Sequence, residues 1–307
     1  MFCKLSRASA KVLGMSAPAV WLDLSQAELD AAYNQLTYAP NQTQILKRFA
    51  SNSDTCRARA GSPVRFAYGA APVEGLDVYV TRSADAPIHI FFHGGAWRSG
   101  LAKDYGFLAE TFVRAGAHFV VPDFAWVQDT QKGLDPIAAQ VRRAVAWVYR
   151  NAQDFGGDAS RIYISGHSSG AHLAAVLLTT DWQKDFGLPA GLIKGGLCCS
   201  GIFELKPVGL SSRNAYLGLT KAIELALSPQ RNIARLDAPL IVAYGSLETP
   251  EFKRQAAEFA AAVQVAGKPV QLLTAEGYNH FEILETLANP YGLLGRAALE
   301  QMHLAAV

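Results

Sequence analysis

The segment Arg161 to Leu178 constrains this chain most, because its residue pattern changes around a single serine. Arg161-Ile162-Tyr163-Ile164-Ser165 is short and β-branched, as a buried strand would be. Ala171-His172-Leu173-Ala174-Ala175-Val176-Leu177-Leu178 reads as a buried helix. Between them stands Gly166-His167-Ser168-Ser169-Gly170. A G-x-S-x-G placed between strand and helix predicts a sharp turn that lifts a serine hydroxyl clear of a sheet edge. The flanking glycines let backbone segments pass closely and lower the cost of a strained turn. The pentapeptide alone is unspecific, but its placement makes Ser168 the candidate nucleophile.

Strand-like runs recur on both sides of this turn: Val64 to Tyr68, Leu76 to Thr81, Ile88 to Phe92, Phe119 to Val121, Gly196 to Cys199, Leu240 to Tyr244 and Val270 to Leu273. Helical patterns separate the later ones. Ile137, Val141, Ala144, Val145 and Val148 share one face opposite Gln140, Arg142 and Arg143, and Phe252, Ala256, Phe259, Ala260 and Val263 repeat that spacing. Such alternation predicts an α/β fold, a mostly parallel twisted sheet of about eight strands with helices on both faces. The first two strands have no helix between them, so an antiparallel edge is expected there. Residues 23–58 read as helical and polar-faced, with Asp23 or Ser25 as first cap. Residues 201–237 interrupt the alternation and read equally as a small cap over the site or as an ordinary connection with an extra helix. No repeat, linker or low-complexity tract appears, so 23–307 is expected to be one domain.

Composition excludes several classes of function. Charged residues make up 18% of the 307 positions, with a net charge of +2 and no long run of either sign. That offers no basic stripe for nucleic acid. No apolar run approaches the ~18 residues of a membrane span. Cys3, Cys56, Cys198 and Cys199 show no metal spacing, and read as free thiols in a reducing compartment, with Cys198 and Cys199 filling a strand. Lys4, Arg7 and Lys11 give a basic start, but the following Val12-Leu13-Gly14-Met15-Ser16-Ala17 is too short and broken for a signal peptide core. The expectation is a cytoplasmic protein whose residues 1–22 form an unstructured extension, with Met15 as an alternative start.

A serine hydroxyl needs a neighbouring base, and the base an orienting acid, in the chain order Ser, acid, His. His280 follows the strand Val270 to Leu273 and the turn Glu276-Gly277-Tyr278-Asn279, and is the candidate base. His303 and His89 fit surface or core roles. His93, His167 and His172 belong to the motifs themselves, where packing and backbone hydrogen bonds are their expected duty. Glu248 stands three residues beyond Gly245 at the end of a strand and is the first candidate acid. Glu251 is the second, although it also suits the first turn of the next helix. Asp123 precedes the serine and reads as structural. His93-Gly94-Gly95-Ala96-Trp97 lies 75 positions before Ser168 and after a strand. Its Gly94 and Gly95 N–H groups, with that of Ser169, are the candidate oxyanion donors. Ala96, Trp97, Trp126, Phe203 and Tyr216 are the candidate lining of an aryl pocket.

Together these residues resemble the α/β-hydrolase superfamily, and within it the arylformamidase (kynurenine formamidase) group and its hormone-sensitive-lipase-like neighbours. The resemblance rests on His93-Gly94-Gly95-Ala96-Trp97, Gly166-His167-Ser168-Ser169-Gly170-Ala171-His172, Thr249-Pro250-Glu251-Phe252-Lys253-Arg254-Gln255 and Asn279-His280-Phe281, and runs from about Leu29 to the C-terminus. It implies an α/β-hydrolase fold with a small cap and a triad of Ser168, Glu248 and His280. It further implies a small aryl amide, formamide or ester as substrate, cleaved without metal or organic cofactor, and it leaves a homodimer open. Two positions depart from the group, which usually carries Asp at Glu248 and Tyr at Ala96. The second departure reshapes the pocket beside the oxyanion loop and leaves a carboxylesterase or carbamate hydrolase as the alternative. A catalytically silent ligand-binding homologue is the alternative of another class. A lipase acting at a lipid surface is disfavoured by the lack of a long apolar flap or basic amphipathic stretch.

Overall fold

The eight apolar runs become eight strands of one sheet in the computed structural model, which describes residues 17–130 and 133–307. We number them β1 (Val64–Ala67), β2 (Gly75–Tyr79), β3 (Ala86–Phe92), β4 (His118–Pro122), β5 (Gly157–His167), β6 (Ile193–Cys199), β7 (Leu240–Gly245) and β8 (Val270–Ala275). Their order across the sheet is β8-β7-β6-β5-β3-β4-β2-β1. β2 runs antiparallel to both β1 and β4, and the other neighbours are parallel. The expected antiparallel edge is therefore present.

The central strands read as continuous apolar runs because helices cover both of their faces. Along β3 the side chains alternate between two cores. Ile88, Ile90 and Phe92 join one with Ile137 and Val141, while Phe91 joins the other with Phe112, Phe119 and Leu294. The helices that matter for the site are α1 (Gln26–Ala32), α2 (Gln42–Ala60), α3 (Leu134–Asn151), α4 (Ser169–Leu178), α5 (Pro250–Val265) and α6 (Leu293–Gln301). Both amphipathic patterns bury the anticipated face, on α3 and on α5. The Thr249 hydroxyl accepts from the Phe252 N–H at the start of α5, with Pro250 in the first turn where a missing N–H costs nothing.

The N-terminal part differs from the sequence expectation. Residues 23–58 are not one helix but α1, a short turn at Gln35–Thr37 and α2. Asn34 stops the first by accepting from the Leu36 N–H through its own side chain, and Pro40 follows. Ser25 caps α1 in a reciprocal arrangement with Glu28. Within the expected 1–22 extension, Ala19–Trp21 pairs with Leu24–Ser25 as a short ribbon. Cys3, Lys4, Arg7, Lys11 and Met15 lie outside the described residues. Cys56, Cys198 and Cys199 are free and buried, the last two within β6. Asp123, after β4, is structural: it accepts from the Ala102 N–H and pairs with Arg65. Among the described residues no helix is long and apolar enough to cross a membrane.

Residues 201–237 hold three short α-helices, Lys206–Leu210, Asn214–Leu217 and Lys221–Leu227, and two 3₁₀ turns, Pro229–Arg231 and Ile233–Arg235. They are tied to α1 by Gln26 Nε2 donating to the Leu210 carbonyl and by the Ser212 N–H donating to Asp30. The insertion and the N-terminal helices thus meet above the carboxyl ends of the strands, where ligands bind in open α/β sheets.

Candidate active site

Four strand ends bring the candidate chemistry together. β5 ends at His167, and Ser168 turns with φ +57° and ψ −123° before α4 begins. This left-handed conformation is costly for serine and holds because the surroundings fix it. The Ser168 N–H donates to the Cys199 carbonyl of β6. Two glycines permit the turn: a Cβ on Gly166 would stand 2.2 Å from the Gly170 oxygen, and one on Gly170 would stand 2.0 Å from the Phe92 oxygen.

His280 follows β8, where the Asn279 side chain accepts from the N–H groups of Phe281 and Glu282 and so fixes the loop. The ring lies edge-on to Phe252 and Phe281 and beside His167. Its Nε2 is 2.9 Å from Ser168 Oγ and its Nδ1 is 2.7 Å from Glu248 Oε2. Because a carboxylate only accepts, the Nδ1–H donates to Glu248, and Nε2 is left to accept from the serine hydroxyl. Glu248 is fully buried after β7, and its other oxygen accepts from the Gly245 N–H and the Ser200 hydroxyl. Glu251 is elsewhere, paired with Arg254 and hydrogen-bonded to Tyr33. Of the two acids, Glu248 is therefore the one beside His280.

The His93–Trp97 loop leaves β3 and passes against this turn: a Cβ on Gly94 would be 3.2 Å from the Ser168 Cβ. Among the described residues the N–H groups of Gly94, Gly95 and Ser169 have no protein acceptor, as donors for a developing oxyanion require. The neighbouring histidines are structural. His167 Nε2 donates to the His280 carbonyl at 2.6 Å, and burial pushes its pKa down to about 3. His172 accepts from Trp97 Nε1 and donates to the Leu227 carbonyl, and burial lowers it to about 4. His93 stacks on Phe124, with its pKa lowered by burial.

A cavity of about 730 Å³ opens at Ser168 and His280, within the range of small-molecule sites. Of the five candidate lining residues only Ala96 borders it. Trp97 is buried on His172, Phe203 stacks on Phe259 in the core, and Trp126 donates to the Gly100 carbonyl. Tyr216 lies beneath the Arg98 guanidinium. Aromatic side chains gain most from burial, which drew Trp97 and Phe203 into the core, while Trp126 and Tyr216 stay half-buried. Sequence reasoning missed the wall made by Tyr33, Gln35 and Leu36 and by α2 through Leu46 and Phe49. It also missed Arg98, Arg213 and Ser200. No local pattern marks them, since all act across long sequence separations.

Comparison with known proteins agrees with this architecture. A family model described as BD-FAE matches residues 76–191. The structure of esterase LipW from Mycobacterium marinum superposes with a TM-score of 0.68 at 18% identity, covering 88% of this chain and 90% of that one. Kynurenine formamidase of Salmo salar is 30% identical over 283 residues, covering 88% of this chain and 94% of that protein. Kynurenine formamidase of Danio rerio is 33% identical over 296 residues, covering 92% of this chain and 98% of that protein. With near end-to-end likeness of that order, the chain is a hydrolase of ester or amide bonds and belongs to the kynurenine formamidase family of α/β-hydrolases.

Proposed function

We propose that this hydrolase cleaves a small aryl formamide or amide through an acyl-enzyme, with Ser168 as nucleophile, His280 as general base and Glu248 as the orienting acid. The carrying observation is the continuous hydrogen-bonded line from Ser168 Oγ through His280 to Glu248. Ser168 attacks the carbonyl carbon as His280 Nε2 takes its proton, and the Glu248 carboxylate stabilises the imidazolium. Gly94, Gly95 and Ser169 N–H groups hold the oxyanion, each worth about 10²–10³ in turnover. His280 then protonates the departing arylamine and activates water for deacylation. An aniline leaves more readily than an alkyl amine, which favours aryl substrates. Residues 23–307 act as one domain with 201–237 as its cap, in the cytoplasm, where the thiols of Cys56, Cys198 and Cys199 stay reduced.

A carboxylesterase is the second reading, favoured by Ala96, which leaves space at the cavity wall beside the oxyanion loop. Turnover of N-formylkynurenine, an aryl acetate and an aryl acetamide by the native protein and Ser168→Ala tests both. Formamide turnover far above the ester, lost in the variant, supports the first reading. Ester turnover without formamide activity moves the assignment to the second. Turnover that survives in Ser168→Ala overturns both.

A further inference from the structure

The His93–Trp97 loop closes on three successive residues of left-handed backbone: Gly95 at φ +120°, Ala96 at φ +55° and Trp97 at φ +59°. Among the described residues, Ala96 and Trp97 are the only adjacent pair of non-glycine residues in that region. Such backbone is costly for a residue with a Cβ and persists only where its surroundings fix it. The start of the turn is fixed locally. The Gly95 carbonyl accepts from the Arg98 N–H at 3.0 Å and from the Ser99 hydroxyl at 3.1 Å. Trp97 is fixed from farther away. Its carbonyl accepts from the Val127 N–H at 2.7 Å. Its buried indole meets the His172 ring edge-on, and Nε1 donates to His172 Nδ1 at 3.2 Å.

His172 belongs to α4, the helix that begins just after Ser168. Its own N–H donates to the Ser168 carbonyl at 3.2 Å, so the imidazole is anchored one helical turn from the serine. An indole N–H only donates, so Nδ1 must accept. Nε2 then carries the hydrogen and donates to the Leu227 carbonyl at 2.8 Å. The tautomer is dictated on both sides, since a protonated ring would set an Nδ1–H against the indole N–H. Neither Trp97 nor His172 borders the cavity, so any effect on the reaction passes through the loop.

We propose that Trp97 and His172 are positioning residues for the oxyanion, their hydrogen bond clamping the strained loop onto α4 and so setting the reach from the Gly94 and Gly95 N–H groups to Ser168. The inference rests on the roles assigned above to Ser168 and to those donors. The loop passes close to the serine, where a Cβ added to Gly94 would stand 3.2 Å from the Ser168 Cβ. Without the clamp, Ala96 and Trp97 can relax towards ordinary backbone, and that rotation re-aims the peptides next to them. A misplacement of about 1 Å can cost roughly a hundredfold in turnover. The negative oxygen exists only after attack, so the loss falls on kcat and not on KM.

Trp97→Phe keeps a ring and removes the indole N–H, and His172→Leu removes the acceptor. For each, kcat on an aryl ester is expected to fall about tenfold to a hundredfold, with KM within about twofold of native. His172→Gln carries both an acceptor and a donor, and should restore turnover to within about threefold of native. An aryl trifluoromethyl ketone reports the oxyanion directly. Its carbonyl carbon bonds to Ser168 Oγ, the serine proton passes to His280 Nε2, and the carbonyl π pair becomes the charge on oxygen. Its affinity should drop by the same factor as kcat in the two weakened variants, while binding of the arylamine product stays unchanged. If the single variants fail to fold, Trp97→Phe/His172→Leu removes both polar side chains together and carries the same expectation. Native kcat and ketone affinity in folded variants overturn the clamp, whatever their thermal stability. A loss confined to KM overturns it too, as does a His172→Gln variant as weak as His172→Leu. Turnover that persists in Ser168→Ala sinks the serine reading and the clamp with it, whereas serine-dependent turnover indifferent to Trp97→Phe sinks the clamp alone.

Discussion

Ser200 donates its hydroxyl to Glu248 Oε1 at 2.6 Å, and does so from a left-handed backbone, φ +55°. The strained residue sits just beyond β6, where its own N–H donates to the Ala243 carbonyl of β7. A non-glycine residue in that region costs about 1–3 kcal/mol, and here the conformation aims a donor at the acid that faces His280. With Glu248 in the orienting role proposed above, Ser200 would be a positioning residue that acts on the reaction through it. Ser200→Gly removes the hydroxyl while relieving the backbone. We expect kcat to fall about tenfold, the value of one hydrogen bond to a charged group, with KM nearly unchanged. A rise in KM at constant kcat would instead place Ser200 in substrate binding.

Glu248 takes donors from three directions: His280 Nδ1, Ser200 Oγ and the Gly245 N–H. The geometry is set for the longer acid. Glu248→Asp withdraws the carboxylate from at least one of these donors, and a misplacement of about 1 Å can cost roughly a hundredfold in turnover. Glu248→Gln keeps the shape but loses the charge, and its loss should be larger, about 10³–10⁴. Steady-state kinetics on one aryl ester ranks the variants. Activity of Glu248→Gln equal to native protein would remove this residue from the mechanism.

The eight strands and the elbow were legible because each signal is local. Strands covered on both faces read as unbroken apolar runs, as Ile88 to Phe92 does, and the Gly-x-Ser-x-Gly turn needs its glycines within one short loop. Chain order after later strands singled out His280 and Glu248 as candidates, and the structure places them 2.7 Å apart. The break at Asn34 was not, because the surrounding residues keep helical composition and one side-chain cap decides the end. The pocket was read poorly for a different reason. Trp97, Trp126 and Phe203 satisfy their bulk or their N–H groups by packing away from the cavity, while Tyr33 and Arg213 reach its wall only through contacts spanning 180 positions. Such contacts leave no trace in local composition.

His172 couples three parts of the fold. On α4, four residues after Ser168, it accepts from Trp97 of the His93–Trp97 loop at 3.2 Å and donates to the Leu227 carbonyl of the insertion at 2.8 Å. His172→Phe would keep the bulk and strand one buried donor and one buried acceptor. Each unsatisfied group costs about 1–3 kcal/mol, so a loss of about 2–6 kcal/mol in unfolding free energy is expected. Denaturant unfolding measures it. A variant as stable as native protein would show that both groups find other partners, and that the insertion is held without this link.

Acid should unfold this protein through its buried histidines. Burial lowers His89 and His167 to about 3 and His172 to about 4, against an ordinary value near 6.5. Folded-state values below the unfolded ones mean that the unfolded chain binds protons the native chain refuses. Stability therefore rises with pH across this window. It is full above about pH 7 and is lost progressively as pH falls towards 3. Each histidine contributes roughly 1.4 kcal/mol per pH unit, so the three together give a slope of about 4. The loss reaches about 6 kcal/mol at pH 5 and about 10 kcal/mol at pH 4, so a native stability in the lower half of the usual range of about 5–15 kcal/mol is exhausted between those values. Denaturant midpoints at pH 7.5, 6 and 5 check the slope, and equal midpoints at pH 7.5 and 5 would mean that these imidazoles gain protons in the native state.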